Sequence, residues 1–344
     1  MNTKWKSAFV ALIATMLVAS TALAVGPEKK PAEVPALKLT KTTLPAYLQE
    51  ISVTIRTDRA EGSGTLVVRG QDTYVLTAGH VVDDLREVRE VIDPVKGTKK
   101  LVIEFRTAKV VNILREDGEA VGRVEMDATV VSYSDSENGE DLALLRLKKK
   151  NYATKGAFFY RQSKEERYPQ VGAELYHCGS LLGEFGSNSL IDGMVSQVGR
   201  VYQKKLYDQT NLAVFPGSSG GGVYVKEDGR YCGMIVRGAV GGFNLMVPQR
   251  RIDSWAQRMK LEWVFDASLP VPSEAELQKI SIEDTGFPVS TSPTDKKSSH
   301  HSVATKDRVE FLIRPIGTVG TVPVEGTITP QDPLILRVIG ELKK

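Results

Sequence analysis

The sequence predicts an all-β protein built from antiparallel barrels, and three observations carry that prediction. From Leu44 to about Val247 short apolar runs recur at hairpin spacing, divided by turn residues, and few stripes of helical period interrupt them. The composition is that of an ordinary globular chain, 344 residues with 41% hydrophobic and 25% charged, enough for one large domain or two smaller ones around a sizeable core. Two cysteines, Cys178 and Cys232, do not make a disulfide scaffold.

At the N-terminus Lys4 and Lys6 precede the apolar run Ala8 to Ala19, and Ala22-Leu23-Ala24 follows. This is the pattern of a Sec-type signal peptide over residues 1–24, cut after Ala24. The run is short for a bilayer span and leads into a small-residue cleavage site, which weighs against an uncleaved anchor. No cysteine stands at the cut to take a lipid, and no later segment is apolar enough to cross a membrane. The expected destination is therefore the periplasm or the medium, with no stable membrane span after cleavage. In such an oxidising compartment Cys178 and Cys232 either pair or sit as small buried hydrophobes on strands, and both alternatives stand.

The strand candidates run in order. Gly64 to Val68, Thr73 to Thr77, Leu101 to Phe105, Ala128 to Val131 and Leu142 to Leu145 come first; Leu190-Ile191, Gly222 to Val225 and Gly233 to Val236 follow, with Glu227-Asp228-Gly229 as a hairpin turn between the last two. Pro248 then opens a helix whose stripe of Ile252, Trp255, Met259 and Trp263 packs on the last barrel. Residues 266–306 are rich in Pro, Ser, Thr and charge and read as a linker or a loose wrap. Val309 to Ile313 and Leu334 to Ile339 read as strands of a short β-rich segment, 307–344.

Charge excludes one class of partner. Basic and acidic residues number 45 and 42, a net +3, and no basic stripe interleaved with aromatics occurs, so nucleic acid is not an expected partner. The chemistry points elsewhere, to Pro216-Gly217-Ser218-Ser219-Gly220-Gly221-Gly222. An acyl-transfer site needs backbone N–H groups aimed at a developing oxyanion, and tightly curved backbone tolerates few side chains. Taken alone, such a cluster is more often a flexible loop.

Histidines occur only at 80, 177, 300 and 301. His80 ends Thr77-Ala78-Gly79-His80 directly after a strand, a rigid and partly open position that suits a general base. Asp141 opens the apolar strand Leu142 to Leu145, so its carboxylate can be buried at the barrel rim to orient a histidine while Glu140 stays solvated; the plain alternative is an acidic turn, Asn138 to Asp141. His177 reads as structural. His300-His301 lack neighbouring ligands at metal spacing and read as solvated linker, and no cofactor is expected.

The order His80, Asp141, Ser219 resembles the trypsin-like serine proteases, with histidine and aspartate on a first barrel and serine on a second. Within them it is most similar to the HtrA/Deg branch, through Gly62-Ser63-Gly64-Thr65, Val75-Leu76-Thr77, His80-Val81-Val82, Asp141-Leu142-Ala143-Leu144, Gly179-Ser180, Pro216 to Gly221 and Met246-Val247-Pro248. The resemblance covers roughly residues 45–262. It implies two antiparallel six-stranded β-barrels, about 45–150 and 165–250, then a helix at 248–262 and an irregular tail. Residues 266–344 lack the length of compact strands and helices that the branch's PDZ module requires.

The resemblance also implies roles. Ser219 is the nucleophile, His80 the base and then the acid, Asp141 the orienter, and the N–H groups of Gly217 and Ser219 the oxyanion hole. Substrates are peptides or proteins, unfolded ones among them. Ser218 stands where zymogen-activated relatives carry an aspartate, so no freed N-terminus is needed for activation. Ala213 and Val214 form the base of the specificity pocket and Gly238 and Gly242 its walls; with no charge there, the expected P1 side chain is apolar. Ile235-Val236-Arg237 pairs with the substrate backbone. Two rivals remain: a catalytically silent binding module on this fold, and an esterase, since Gly217 to Gly221 also satisfies G-x-S-x-G. The esterase fold needs its histidine downstream of the serine, where only His300 and His301 lie.

Overall fold

Strands buried along most of their length build two barrels from one chain. The computed structural model describes residues 40, 42–92, 97, 99–161, 167–239, 242–280 and 314–315. Helix α1 (Leu44–Glu50) leads into β1 (Ser52–Arg56), β2 (Glu61–Arg69) and β3 (Asp72–Thr77), followed by single 3-10 turns at Gly79–Val81 and Asp83–Leu85. Next, β4 (Arg86–Ile92) and β5 (Lys99–Phe105) form a two-stranded sheet of their own. With β6 (Ala108–Glu116), β7 (Glu119–Ser134) and β8 (Leu142–Leu147), the chain closes a six-stranded barrel in the order β1-β2-β3-β8-β7-β6. The run Leu101 to Phe105 is a strand as expected, but it lies in the separate hairpin.

The second half repeats the architecture with β9 (Glu174–Leu181), β10 (Gly186–Tyr202), β11 (Lys205–Thr210), β12 (Gly222–Val225), β13 (Tyr231–Ala239) and β14 (Phe243–Pro248). They pair in the order β12-β9-β10-β11-β14-β13, and pairing of β12 with β13 closes the circle. A short strand from the tail, β15 (Arg314–Pro315), adds to β13. Closure removes most free edges from both sheets. Successive side chains point to opposite faces, so Tyr224, Met234 and Val236 join a core cluster shared with the first barrel, while Val223 and Ile235 join a second cluster.

Helix α2 (Gln249–Met259) buries Ile252, Trp255, Ala256 and Met259, an i, i+3, i+4, i+7 stripe. It ends before the expected residue 262. Lys260 turns left-handed at φ 57°, and its N–H caps the Ala256 and Gln257 carbonyls. Trp263 therefore sits on a separate short helix, α3 (Glu262–Phe265), where its ring meets Tyr74 of the first barrel edge-on at 5.2 Å. The chain stays ordered beyond it. In α4 (Glu274–Leu277) Ser273 and Glu276 form a capping box, Leu277 is buried, and Glu274 pairs with both terminal nitrogens of Arg146 on β8 at 2.7 Å. The first part of the expected linker thus packs on the first barrel.

Residues 281–306 of that linker, with His300 and His301, lie outside the described residues, as do the signal peptide and the expected strands at 309–313 and 334–339. Among the described residues, no helix is long and apolar enough to cross a membrane. Both cysteines are free thiols, buried in different clusters, so the pairing alternative gives way to that of small buried hydrophobes.

His177, on β9, is fully buried and donates from Nδ1 to the Gly222 carbonyl at 3.0 Å. Burial holds its pKa down at about 4, with the Gly222 bond opposing only in part. The unfolded chain binds a proton near pH 6.5 that the folded chain refuses until about pH 4, so stability from this group is complete above pH 6.5 and is lost as pH falls toward 4. Urea titrations should show the native protein losing about 3 kcal/mol more than His177→Gln across that window; equal losses would remove His177 as the cause.

Candidate active site

The two barrels meet where β3 ends, and the sequence there is shaped by close approach. A Cβ on Gly79 would lie 2.4 Å from the Ser134 carbonyl oxygen, so glycine lets the turn carrying His80 press against the end of β7. The loop from β7 to β8 is pinned by its own side chains. Asp135 accepts from the N–H groups of Glu137 (3.0 Å) and Asn138 (2.7 Å), and Ser134 Oγ accepts from Glu140 N–H at 2.7 Å. At its end Asp141 adopts a left-handed conformation, φ 59°, and its N–H bonds to the Asp135 carbonyl at 3.1 Å.

Asp141 is fully buried, and donors surround its carboxylate. His80 Nδ1 donates to Oδ1 at 2.9 Å and lies 3.1 Å from Oδ2, while the His80 backbone N–H donates to Oδ1 at 3.0 Å. The buried guanidinium of Arg237, from β13, stands 3.9 Å from Oδ2 and donates to the Ser136 carbonyl at 3.0 Å. Burial alone would raise the pKa of Asp141. The interactions with His80 and then Arg237 outweigh it and hold the carboxyl far below the ordinary range. On the other side of the ring, His80 Nε2 is buried and takes no hydrogen bond among the described residues.

The Ser219 loop lies against the same wall. Ser63 N–H on β2 donates to the Ser219 carbonyl at 2.7 Å, and a Cβ on Gly220 would fall 2.2 Å from the Ser63 carbonyl and 3.0 Å from Ala78 N. Glycine at 220 therefore lets the loop touch the strand end that carries His80. Ser63 Oγ donates to the Gly217 carbonyl and accepts from Ser180 N–H, both at 2.7 Å, which ties the loop to both barrels. Leu182 N–H donates to the Pro216 carbonyl at 2.7 Å; across that planar peptide the Gly217 N–H points the opposite way. Ser218 is buried, and its hydroxyl accepts from Phe215 N–H at 3.2 Å, a local partner in place of a charged one.

The expected pocket residues fare unequally. Asn244 on β14, opposite Gly238, donates to the Leu212 carbonyl at 2.6 Å, and a Cβ on Gly242 would lie 4.0 Å from the Asn211 carbonyl. Gly238 and Gly242 thus flank the segment leading to Ala213, which is exposed, and Val214, which packs against the second core cluster. The Val236 side chain is buried in the first cluster, which leaves the backbone of Ile235-Val236-Arg237 for the pairing expected of it. Glu140 departs from expectation: instead of standing solvated it accepts from Arg251 Nε (2.5 Å) and Arg258 (2.8 Å) of α2, because the helix returns across the rim of the first barrel.

The chain belongs to the family of the trypsin-like peptidase domain, whose family model matches residues 62–234. Among solved structures it is similar to the serine endoprotease from Yersinia pestis (TM-score 0.44, 19% identity, 68% of each chain covered). It is also similar to Deg5 (TM-score 0.44, 20% identity, 64% of this chain and 94% of that one) and to an HtrA-type protease with a tripeptide (TM-score 0.43, 19% identity, 65% and 64%). No curated protein matches the sequence.

Ser63 was legible only as part of a motif, yet it serves two buried backbone groups at once. Ser63→Ala should cost about 1–3 kcal/mol in urea unfolding, the price of leaving both unpaired. A cost within error of zero would mean that water or a shifted loop replaces it.

Proposed function

We propose that the protein is an exported serine endopeptidase that hydrolyses peptide bonds through His80, Asp141 and Ser219. The observation that carries this reading is the imidazole of His80, held at Nδ1 by a buried carboxylate and unengaged at Nε2, on the wall where the Ser219 loop rests. Asp141 fixes the tautomer, leaving Nε2 as the proton acceptor, and stabilises the imidazolium once formed. In the productive complex Nε2 comes within about 2.6–3.2 Å of Ser219 Oγ.

Ser219 Oγ attacks the scissile carbonyl as its proton passes to Nε2. The oxyanion is met by the N–H groups of Gly217 and Ser219, dipoles fixed before the reaction begins. Nε2 then gives its proton to the leaving amine, the C–N bond breaks and an acyl-enzyme remains. Water, deprotonated by Nε2, attacks the ester, and collapse returns the proton to Ser219 and releases the acid. The uncharged surroundings of Ala213, Val214, Gly238 and Gly242 favour an apolar P1 side chain. Signal cleavage after Ala24 would release the enzyme into the periplasm or the medium.

A fluorophosphonate probe should label the wild-type protein and leave Ser219→Ala unlabelled. Asp141→Asn should keep the fold and lose on the order of 10⁴ in turnover, since the amide selects the wrong tautomer. If neither wild type nor variant reacts, even with an unfolded protein present, the silent binding module is the better reading. N-terminal profiling of cleaved proteins reports P1, and a preference for charged residues would overturn the apolar assignment.

A further inference from the structure

One edge of β13 is engaged by three different segments in succession. β12 pairs with it through Tyr224↔Tyr231, Val223↔Gly233 and Gly222↔Met234. The Ser219 loop follows: Gly220 N–H donates to the Ile235 carbonyl at 2.8 Å, and Ile235 N–H donates to the Gly221 carbonyl at 3.1 Å. Two residues further on, Arg237 and Gly238 pair antiparallel with Pro315 and Arg314. β14 holds the opposite edge over the same residues, so the tail strand continues the line set by β12 and the loop.

We infer that Arg314–Pro315 is an internal peptide ligand, seated on the β13 edge where the acyl side of a polypeptide substrate would dock beside Ser219. The inference rests on Ser219 being the nucleophile. An open strand edge next to a reactive loop captures extended chain through backbone bonds. The tail meets that requirement in register. In an antiparallel pair only alternate residues exchange N–H and carbonyl bonds, and Pro315, which has no N–H, falls opposite Arg237 while Arg314 faces Gly238. Proline is thus placed where no donor is needed, and Arg314 N–H is the one donor the two-residue strand offers. Gly238 adds no side chain to obstruct the approach. A covalently attached occupant outcompetes a free peptide of equal intrinsic affinity, so substrate binds only in the fraction of molecules with the edge clear.

The test uses the full chain carrying Ser219→Ala, so that bound peptide survives, with and without Arg314→Pro, which removes the donating N–H. The probe is a fluorescent peptide of the sequence Glu310 to Val319. Its anisotropy should report at least about tenfold tighter binding to the chain carrying Arg314→Pro, whose own tail no longer competes. The same peptide with proline in place of Arg314 should bind neither chain. In a second measurement that needs no tail variant, the unmodified peptide should inhibit peptide hydrolysis by the wild-type chain competitively, and the proline peptide should not. Equal affinity for both chains, or equal behaviour of the two peptides, overturns the inference. Fluorophosphonate labelling of the wild type reports separately on Ser219, so a failed protease reading shows as absent labelling whatever the anisotropy gives.

Discussion

A carboxylate with no access to water sets the terms for this molecule. Asp141 is ionised inside the protein, and a buried charge persists only when donors and an opposite charge replace its hydration. The structure supplies these from two places: the His80 ring and backbone at the end of β3, and Arg237 from the second barrel. The barrels are therefore joined by electrostatics at the point where their loops meet, in addition to the shared apolar cluster. Glu140, one residue away, extends the tie to α2 through Arg251 and Arg258. Removing one donor from such a site leaves the charge exposed to a low-dielectric surround.

Much of this was legible in the sequence, for a local reason. His80, Asp141 and Ser219 each sit in a short stretch whose neighbours betray the backbone: a strand end with Gly79, an apolar strand opened by an acid, a glycine-flanked loop. The all-β barrel class followed from the strand runs, and its division into two six-stranded barrels from the resemblance. Arg237, Ser63 and Asn244 were not legible as site-shaping residues, because their roles depend on which distant strands become neighbours. The face that each β13 side chain takes was not legible either, because the register of β13 against β14 shifts between Ile235 and Arg237 and breaks simple alternation. The end of α2 was missed because a left-handed lysine, rather than the glycine that usually marks such a stop, terminates it.

The glycines near the serine divide the labour between close approach and curvature. Gly79 and Gly220 let backbone from different elements come within contact distance, and Gly217, at φ 96°, turns the chain where a Cβ would lie 2.2 Å from the Ser180 carbonyl. The Ser219 loop is thereby clamped from outside by Ser63, Leu182 and Ile235, in addition to its own bonds from Ser218 N–H to the Phe215 carbonyl and from Gly221 N–H to the Ser218 carbonyl. Its shape therefore depends on the assembled barrels as well as on local turns.

The two thiols carry a consequence of a different kind. Cys178 lies in the core cluster shared by both barrels and Cys232 in the smaller one, and burial pushes the Cys178 thiol up to about 12 and that of Cys232 higher still. Neither is a nucleophile while its cluster is closed. Since no covalent cross-link joins them, the fold owes nothing to an oxidant and can be reached in reducing or oxidising surroundings alike. Each cysteine is also a clock: its rate of alkylation times the opening of its own cluster, so the order in which the two halves of the molecule breathe is readable from the native sequence without a single added label.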